Sequence, residues 1–422
     1  MRKSKGPDSP NFQKYGVPFY SAAWVPYKSI KFDQEEDREQ STDEVSGGHE
    51  SSPAPEPSAA QDYVVLAGGG GEGRSGIPNA VVLSRFDFAS NVLSDQPVAK
   101  LGTGSDLPYR MAVHPGGDGL VCSFPKSCRW YEWDGEKSEE AHKLCLKLSD
   151  NVLTQLEGVG QQLALAFNNE GSALAAGGEG DGHLLVKHGC FLYALSGVFR
   201  MSPNSTFATL LNRLDIIIWK VQDGNLRVFM WPSMEIVLNE ANAHTTVKDL
   251  DFSPDGKYLV SLGNRGPARV WDMTSSTVVA SLSKENDEVF SSCRFSESND
   301  TNRVLYIAAV TGRGGSIVTW NTTTWKRMGS KPVVRDTISA FNISPDGKLL
   351  ACGTTQGDIL ILNSTSMRVQ TIVRKAHLGF VTALAFSHDS RGLASVSLDS
   401  SARVTLIEDK KNTGKCLPYF LM

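Results

Sequence analysis

Short apolar runs recur along this chain, and turn residues separate them at a constant spacing. In three segments the first apolar anchor and the third-strand anchor are 19 residues apart: Phe252 and Trp271, Ile343 and Leu362, and Phe386 and Thr405. Each segment fits a strand, a Pro-Asp-Gly or similar turn, a second strand, another turn and a third strand. Such a unit buries its faces only against neighbouring units, so several units must close into a ring.

Four weaker units bring the count to seven. They begin near Tyr20, Met111, Ala164 and Ser292. The predicted fold is therefore all-β, a seven-bladed WD-repeat β-propeller over residues 15–408, with tails at 1–14 and 409–422. The weaker units leave six or eight blades as alternatives. Because few residues follow the last repeat, we expect a segment near Tyr15 to supply its outer strand.

Two segments interrupt the repeat. Residues 33–62 hold ten acidic side chains against one arginine and almost no large apolar side chains, which predicts a disordered acidic loop in blade 1. In blade 3 the anchors Phe167 and Phe229 are 62 residues apart instead of 19. We assign the excess to an irregular insertion at 183–223, whose removal restores the repeat. The insertion is either an alternative or retained coding segment or a functional element.

Composition and charge argue against several function classes. The 39 glycines suit the tight turns that short strands need, whereas a net charge of -4 and a pI near 6.1 give no basic surface for nucleic acid. The seven cysteines are scattered and include no Cys-x-x-Cys pair, which favours a reducing compartment. No run of 18 or more apolar residues occurs, so the sequence predicts no spanning helix.

A glycine-rich segment runs from Gly68 to Asn79 between two predicted strands. A Walker phosphate loop would end in Gly-Lys-Ser/Thr, which this segment lacks. Gly71, Gly73 and Gly76 match the dinucleotide fingerprint, but a strand follows them instead of the helix whose N-terminus would hold a pyrophosphate. Two interpretations remain: a long flexible hairpin loop, or a glycine loop whose backbone engages an ion or a partner.

The chain shows no enzymatic motif. It contains no His-Glu-x-x-His and no evident catalytic pair of carboxylates, so we predict that it is not a bond-making enzyme. Three histidines lie at blade entries, where we expect hydrogen bonds to an Asp or Ser of the blade: His114, His244 and His377. Three tryptophans end strands and are expected to pack: Trp133, Trp271 and Trp320.

Several motifs ahead of the WD-type blades resemble the Sec-twelve family of guanine-nucleotide exchange factors. They are Lys14-Tyr15-Gly16-Val17-Pro18, Ala22-Ala23-Trp24, the four-glycine run at 68–71, and Gly76-Ile77-Pro78-Asn79-Ala80. The resemblance covers most of Tyr15 to Glu408 and is strongest to the plant Sec-twelve-like branch, which is related to the phosphate transporter traffic facilitator. The glycine loop is its specific part, because WD blades alone match many scaffolds.

The resemblance implies a function and a site. Family members activate a Sar-type small GTPase and so start COPII coat assembly for endoplasmic reticulum (ER) to Golgi transport; COPII components are further expected partners. A loop in their first blade binds a potassium ion and projects onto the GTPase, and no other metal or cofactor is implied. The alternatives are a WD-repeat scaffold or a trafficking facilitator for ER exit, each without exchange activity. Carried over, the loop consists of Gly68, Gly69, Gly70, Gly71, Gly73, Gly76, Ile77, Pro78 and Asn79, with Pro78 and Asn79 as leading candidates.

The resemblance also implies a location. Family members continue past the propeller into a transmembrane helix and lie at the cytosolic face of the ER membrane. This chain ends in Lys410–Met422 without such a helix. We therefore expect the chain as given to be soluble in the cytosol, with membrane contact only through an anchor that it lacks.

Overall fold

The computed structural model describes residues 9–30, 62–71, 75–125, 127–137, 142–159, 161–179, 184–188, 191–195, 217–220, 224–241, 243–285, 287–296 and 304–407. Seven antiparallel sheets form the blades of a β-propeller, which confirms the predicted fold class and the count of seven. A further sheet of three strands belongs to none of the blades.

The first half of the ring contains blades 1 to 3. Strand β1 (Phe12–Lys14) precedes blade 1, which consists of β2 (Phe19–Trp24), β3 (Asp62–Gly68), β4 (Asn79–Asp87), β5 (Val92–Leu93) and β6 (Ala99–Gly104). Blade 2 consists of β7 (Arg110–Val113), β8 (Gly119–Ser123), β9 (Cys128–Lys137) and β10 (His142–Val152). Blade 3 consists of β11 (Gln161–Phe167), β12 (Ala173–Glu179), β16 (Leu226–Met230) and β17 (Ile236–Glu240). Between β12 and β16 in the chain lies the separate sheet, which consists of β13 (Leu184–His188), β14 (Phe191–Leu195) and β15 (Ile217–Lys220). Two short 3-10 helices lie at Tyr27–Ser29 and Thr154–Val159.

The second half contains the more regular repeats. Blade 4 consists of β18 (Val247–Phe252), β19 (Tyr258–Gly263), β20 (Ala268–Asp272) and β21 (Thr277–Leu282). Blade 5 consists of β22 (Val289–Phe295), β23 (Val304–Thr311), β24 (Gly314–Asn321) and β25 (Arg327–Val334). Blade 6 consists of β26 (Ile338–Ile343), β27 (Leu349–Thr354), β28 (Ile359–Asn363) and β29 (Val369–Val373). Blade 7 consists of β30 (Val381–Phe386), β31 (Gly392–Ser397) and β32 (Ser401–Leu406), together with β1.

The hydrophobic core lies between adjacent blades. Strand β27, second in its blade, is buried at all six positions, whereas the outer strand β29 is exposed or partly exposed throughout. Trp271 is 1% exposed and joins a cluster that contains residues of blades 3 and 4. Each blade thus buries its faces only against its neighbours, as the repeat spacing predicted.

The ring closes by pairing the N-terminus with the last blade. Strand β1 adds to β32 in antiparallel register, with Phe12 opposite Arg403. This confirms the prediction that a segment near Tyr15 completes blade 7. The boundary predicted for the N-terminal tail at 1–14 is wrong, however, because Phe12–Lys14 belongs to the propeller. The acidic loop predicted at 33–62 also ends too late, since Asp62 begins β3; residues 33–61 lie outside the described residues.

The interruption of blade 3 lies where the repeat spacing placed it. Strand β12 pairs directly with β16, with Leu174 opposite Phe229 and Gly177 opposite Leu226. The predicted insertion at 183–223 therefore lies in the connection between β12 and β16, two strands that are hydrogen-bonded neighbours in one sheet. Its described parts are not irregular, because β13 pairs with both β14 and β15. The remainder of 183–223 and the predicted C-terminal tail at 409–422 lie outside the described residues.

Within the described ranges, no helix combines the length and the apolar composition that a bilayer crossing requires.

Candidate functional site

The glycine-rich segment is the turn between β3 and β4 in blade 1. It lies at the end of the ring where β2 begins, and we call this end the hairpin face. The start of β30 in blade 7 lies at the same end, because the Thr382 hydroxyl donates to the Phe19 carbonyl at 2.7 Å. The structure describes residues 69–71 and 75–78 of the turn, so the predicted site residue Gly73 lies outside the described residues.

Asn79 fixes the base of this hairpin. Its side chain is buried, and its Oδ1 accepts a hydrogen bond from the Gly71 N–H at 2.9 Å. Its Nδ2 donates to the Gly71 carbonyl at 3.2 Å and to the Gly104 carbonyl on β6 at 3.0 Å. The side-chain amide of Asn79 thus makes hydrogen bonds of the kind that backbone groups make in a sheet, and these connect Gly71 and β4 to β6 of blade 1.

Close packing explains the first glycines of the run. A Cβ on Gly68 would lie 1.9 Å from the Pro18 carbonyl oxygen, and a Cβ on Gly69 would lie 2.0 Å from Oδ1 of Asn79. The Gly69 N–H donates to the same Pro18 carbonyl at 2.9 Å. Only glycine lets the backbone approach this closely, so the run is needed for the packing of the base.

The far side of the hairpin is built for a sharp turn. Gly71 and Gly76 have φ values of 77° and 72°, a conformation that favours glycine. Gly70 lies against Ser75 and Ile77, since a Cβ there would be 2.4 Å from Oγ of Ser75 and 2.9 Å from Cβ of Ile77. The residue before the turn, Gly70, therefore lies close to the residues after it, Ser75 and Ile77.

Residues 75–78, which we call the tip of the hairpin, present apolar side chains to solvent. Ile77 is 39% exposed and Pro78 is exposed, directly before the buried Asn79. The Ile77 N–H bonds to the Ser75 hydroxyl at 3.3 Å. Of the two leading candidates, Pro78 is therefore open to a partner, whereas the Asn79 amide is engaged with the protein's own backbone.

A short segment, residues 15–18, ties the hairpin to blade 7. The Tyr15 N–H donates to the Ser400 carbonyl in the β31–β32 turn at 3.2 Å, while the Pro18 carbonyl holds Gly69. The Tyr15 hydroxyl lies 2.6 Å from Oγ of Ser84 and donates to the Ser94 carbonyl at 2.6 Å. Burial raises the pKa of Tyr15. The segment thus links the β3–β4 turn of blade 1 with the β31–β32 turn of blade 7.

The chemistry of the hairpin suits a weakly held monovalent cation. Its described oxygen atoms are backbone carbonyls, the Ser75 hydroxyl and the Asn79 amide, all of them neutral. Neutral carbonyl oxygens are the groups that replace the hydration shell of potassium in proteins. Among the described residues, no group of His, Cys, Asp and Glu side chains could hold a metal ion.

The predicted histidines at the blade entries are structural. Nε2 of His244 lies 2.8 Å from Oγ of Ser261, which also accepts the Trp271 indole N–H at 2.9 Å. Burial, and next the charge of Arg269, lowers the pKa of His244 to about 4. Its side chain is therefore neutral at physiological pH and serves the packing of blade 4.

The other two histidines are also held by their own blades or the next. His377 is buried between the hydroxyls of Ser401 at 2.6 Å and Ser395 at 2.8 Å, and burial lowers its pKa. Nε2 of His114 lies 3.1 Å from the Gly171 carbonyl, and its Nδ1 lies 3.2 Å from the Asp118 carboxylate. The prediction of a hydrogen bond to an Asp or Ser holds for His244 and His377. His114 instead bonds to a carbonyl of the next blade, and its Nδ1 makes no hydrogen bond among the described residues.

The predicted tryptophans differ in environment. Trp271 and Trp320 are buried, and Trp133 is partly buried against the core between blades 1 and 2. All three pack as expected.

Sequence reasoning missed two partners of the hairpin, Pro18 and Gly104, and one partner of the segment 15–18, Ser400. The carbonyls of Pro18 and Gly104 carry no side-chain signal, and Ser400 lies in a different blade. Their contacts follow from chain topology alone, so a single sequence offers no motif for them.

Comparison with known proteins places this architecture among named relatives. The WD domain, G-beta repeat description (WD40) matches residues 237–272 and 368–405. The chain is 49% identical to SEC12-like protein 2 of Arabidopsis thaliana over 95% of this chain and 88% of the relative. It is 27% identical to SEC12-like protein 1 of Arabidopsis thaliana (86% and 80% covered), and 25% identical to the guanine nucleotide-exchange factor SEC12 of Rattus norvegicus (83% and 87% covered).

Proposed function

The chain belongs to the SEC12-like protein family, and from this premise we propose that it is a guanine-nucleotide exchange factor for a Sar-type small GTPase. It would act at the cytosolic face of the ER, where exchange promotes COPII vesicle formation and protein export to the Golgi. The observation that carries the proposal is the glycine hairpin of blade 1, whose described residues Ile77 and Pro78 are exposed next to a base fixed by Asn79.

Similarity to a named exchange factor supports this proposal. The rat relative is named a guanine nucleotide-exchange factor, and the chain aligns with 87% of its length. That span includes the propeller and not only the repeats that many scaffolds share. The glycine run and its base are intact in this chain.

Exchange requires binding rather than bond chemistry. A factor that binds the nucleotide-free GTPase more tightly than the nucleotide-bound form lowers nucleotide affinity by the same ratio. The hydrogen bonds of Asn79 at the base of the hairpin support this role, because groups that are already held in place lose less conformational entropy on docking. Ile77 and Pro78 would make the apolar contact, and Asn79 would keep them in position.

We extend the proposal to a potassium ion at the same loop. The residues of the predicted loop, 68–71 and 76–79, would hold it through neutral backbone oxygen atoms. When bound, the ion would attract these oxygens and so stabilise the loop. The Asn79 amide would act beside it by holding Gly71.

A nucleotide-release assay tests the proposal. Release of a fluorescent GDP analogue from a purified Sar-type GTPase would be followed with and without the chain, in potassium and in sodium buffer. We expect faster release with the chain, and a larger acceleration in potassium. A folded chain that gives no acceleration in either buffer would reject the exchange function; equal acceleration in both would reject the ion alone.

A scaffold or trafficking facilitator without exchange activity is the second candidate. It is favoured by the relative at 49% identity, whose name, SEC12-like protein 2, does not include exchange activity. The same assay separates the two, because a facilitator would bind trafficking partners in a pull-down and leave nucleotide release unchanged.

A further inference from the structure

Blade 7 exposes three large apolar side chains on the hairpin face. Leu378 is 79% exposed, Phe380 is 52% exposed and Leu398 is 38% exposed. The first two lie in the connection that leads into β30, and the third lies in the turn between β31 and β32. We call these three residues the blade-7 patch. Apolar side chains gathered in this way on a soluble surface mark an interaction site more often than isolated ones do.

The backbone holds the blade-7 patch in its exposed position. The Leu378 N–H donates to the Asp399 carboxylate at 2.7 Å, and the Leu398 N–H donates to the Phe380 carbonyl at 3.4 Å. Asp399 is itself fixed, because it accepts the Ser401 N–H at 3.0 Å. The residue before Leu378 is the buried His377. The patch therefore cannot fold back into the core without breaking these hydrogen bonds.

The turn that contains Leu398 of the blade-7 patch is connected to the glycine hairpin through residues 15–18. Residues 15–18 connect the two turns through the Tyr15 to Ser400 and Gly69 to Pro18 hydrogen bonds. Ile77 and Pro78 are exposed apolar residues on the neighbouring blade of the same face. One flat partner surface could therefore contact both.

The area that a specific protein interface buries also calls for a second contact region beside the hairpin. A specific protein interface buries about 800 Å² on each partner and uses roughly 20 to 30 residues a side. Ile77 and Pro78 alone supply a small part of such an area. The neighbouring apolar anchors on blade 7 would supply the remainder of the apolar centre.

We propose that the blade-7 patch is the second half of the docking surface for the small GTPase that the hairpin engages. This inference rests on the proposed function. The partner is the apolar surface of the nucleotide-free GTPase. The hairpin acts on the nucleotide site, and the patch contributes affinity.

A double variant tests the role of the blade-7 patch. L378S/F380S removes two exposed side chains that pack little in the chain itself, and V278S/V279S on the outer strand β21 is the matched control, at 43% and 44% exposure. Affinity for the nucleotide-free GTPase would be measured by biolayer interferometry, together with melting temperature and GDP-analogue release. We expect Kd to rise about tenfold or more for L378S/F380S and to stay at the wild-type value for the control. GDP-analogue release should be slower with L378S/F380S than with wild type, and the control should match wild type.

Other outcomes overturn the inference separately from the proposed function. Wild-type exchange together with unchanged affinity of L378S/F380S would overturn the blade-7 patch alone. A wild-type chain that binds the GTPase without accelerating release, but loses affinity in L378S/F380S, would retain the patch and overturn exchange. If neither binding nor release is seen with folded wild type, both are overturned. Loss of a dimer in L378S/F380S during sedimentation, with GTPase affinity unchanged, would assign the patch to a second copy of the chain. If L378S/F380S melts early, L378S alone, at the most exposed position, gives the same test.

Discussion

The side-chain amide of Asn79 pairs in both directions with the backbone of Gly71, eight residues earlier. Oδ1 accepts the Gly71 N–H at 2.9 Å and Nδ2 donates to the Gly71 carbonyl at 3.2 Å. This pairing holds the glycine hairpin at its base, and it makes Asn79 a positioning residue for the exposed tip rather than a contact residue.

Substituting Asn79 should reduce both stability and exchange. N79A leaves the Gly71 N–H and the Gly104 carbonyl without their partner, at a cost of about 1–3 kcal/mol in the free energy of unfolding. N79D would place a carboxylate oxygen against the Gly71 and Gly104 carbonyls in a buried site, so we expect it to be no more stable than N79A. Chemical denaturation and GDP-analogue release measure the two effects; release unchanged in N79A would contradict the positioning role.

Substituting Ile77 should affect exchange without affecting stability. Its side chain is 39% exposed at the tip, so I77S should slow GDP-analogue release about tenfold while the melting temperature stays within a degree or so of wild type. Val92, on the outer edge of the same blade, has the same exposure, and V92S is the matched control. Equal release rates for I77S and V92S would mean that the tip does not touch the GTPase.

Removing the closing strand should destabilise the whole ring. A chain that begins at residue 15 loses β1 and the Asn11 bonds to Val404, at 2.8 and 2.9 Å. We expect the melting temperature to fall by about 5 °C or more relative to wild type. A chain that begins at residue 9 keeps β1 and is the control. Equal melting temperatures for the two truncations would show that β1 contributes little to closure.

Removing the insertion should leave the propeller intact. Strands β12 and β16 already pair directly, and deletion of 183–223 joins them by a short loop of glycine and polar residues. We expect one cooperative unfolding transition at an unchanged or higher melting temperature, measured by circular dichroism. A clear drop in the melting temperature would assign a stabilising role to 183–223.

Acid should destabilise blade 4 through His244. Its pKa in the folded chain is about 4, below the ordinary value of 6.5, so the unfolded chain binds the proton first as pH falls. The stability present above pH 6.5 is therefore lost between pH 6.5 and 4, by about 3 kcal/mol in total. H244Q should start less stable at pH 7 but lose less over this interval. Parallel stability curves for H244Q and wild type would exclude His244 as the cause.

The repeat spacing predicted most of the fold because the anchors of a blade are local. Phe252 and Trp271 lie 19 residues apart in one sheet, so one sequence window contains both. The same spacing identified the interruption between Gly177 and Leu226. The extent of β1 was harder to predict from the sequence, since its partner β32 lies almost 400 residues away and Phe12 lies in no turn motif or repeat.

The candidate site was only partly predictable for the same reason. The glycine run marks a close backbone approach, but nothing near it in sequence identifies Pro18 and Gly104 as its partners. Asn79 stood out as a possible ligand, whereas its amide is used within the protein. The exposure of Leu378 could not be inferred either, because an apolar residue beside a buried histidine is also typical of a core.

The link made by residues 15–18 has a consequence for protein engineering. The glycine hairpin is held by the Pro18 carbonyl, and the same short segment is bonded to Ser400 near the other end of the chain. The support of the hairpin thus extends beyond blade 1 to the last blade of the ring. A peptide or grafted loop of residues 68–79 would lose its support, and a circular permutant opened between Lys14 and Val17 would uncouple the tip from blade 7. We therefore expect that a transplanted hairpin needs residues 15–18 and the β31–β32 turn that holds them.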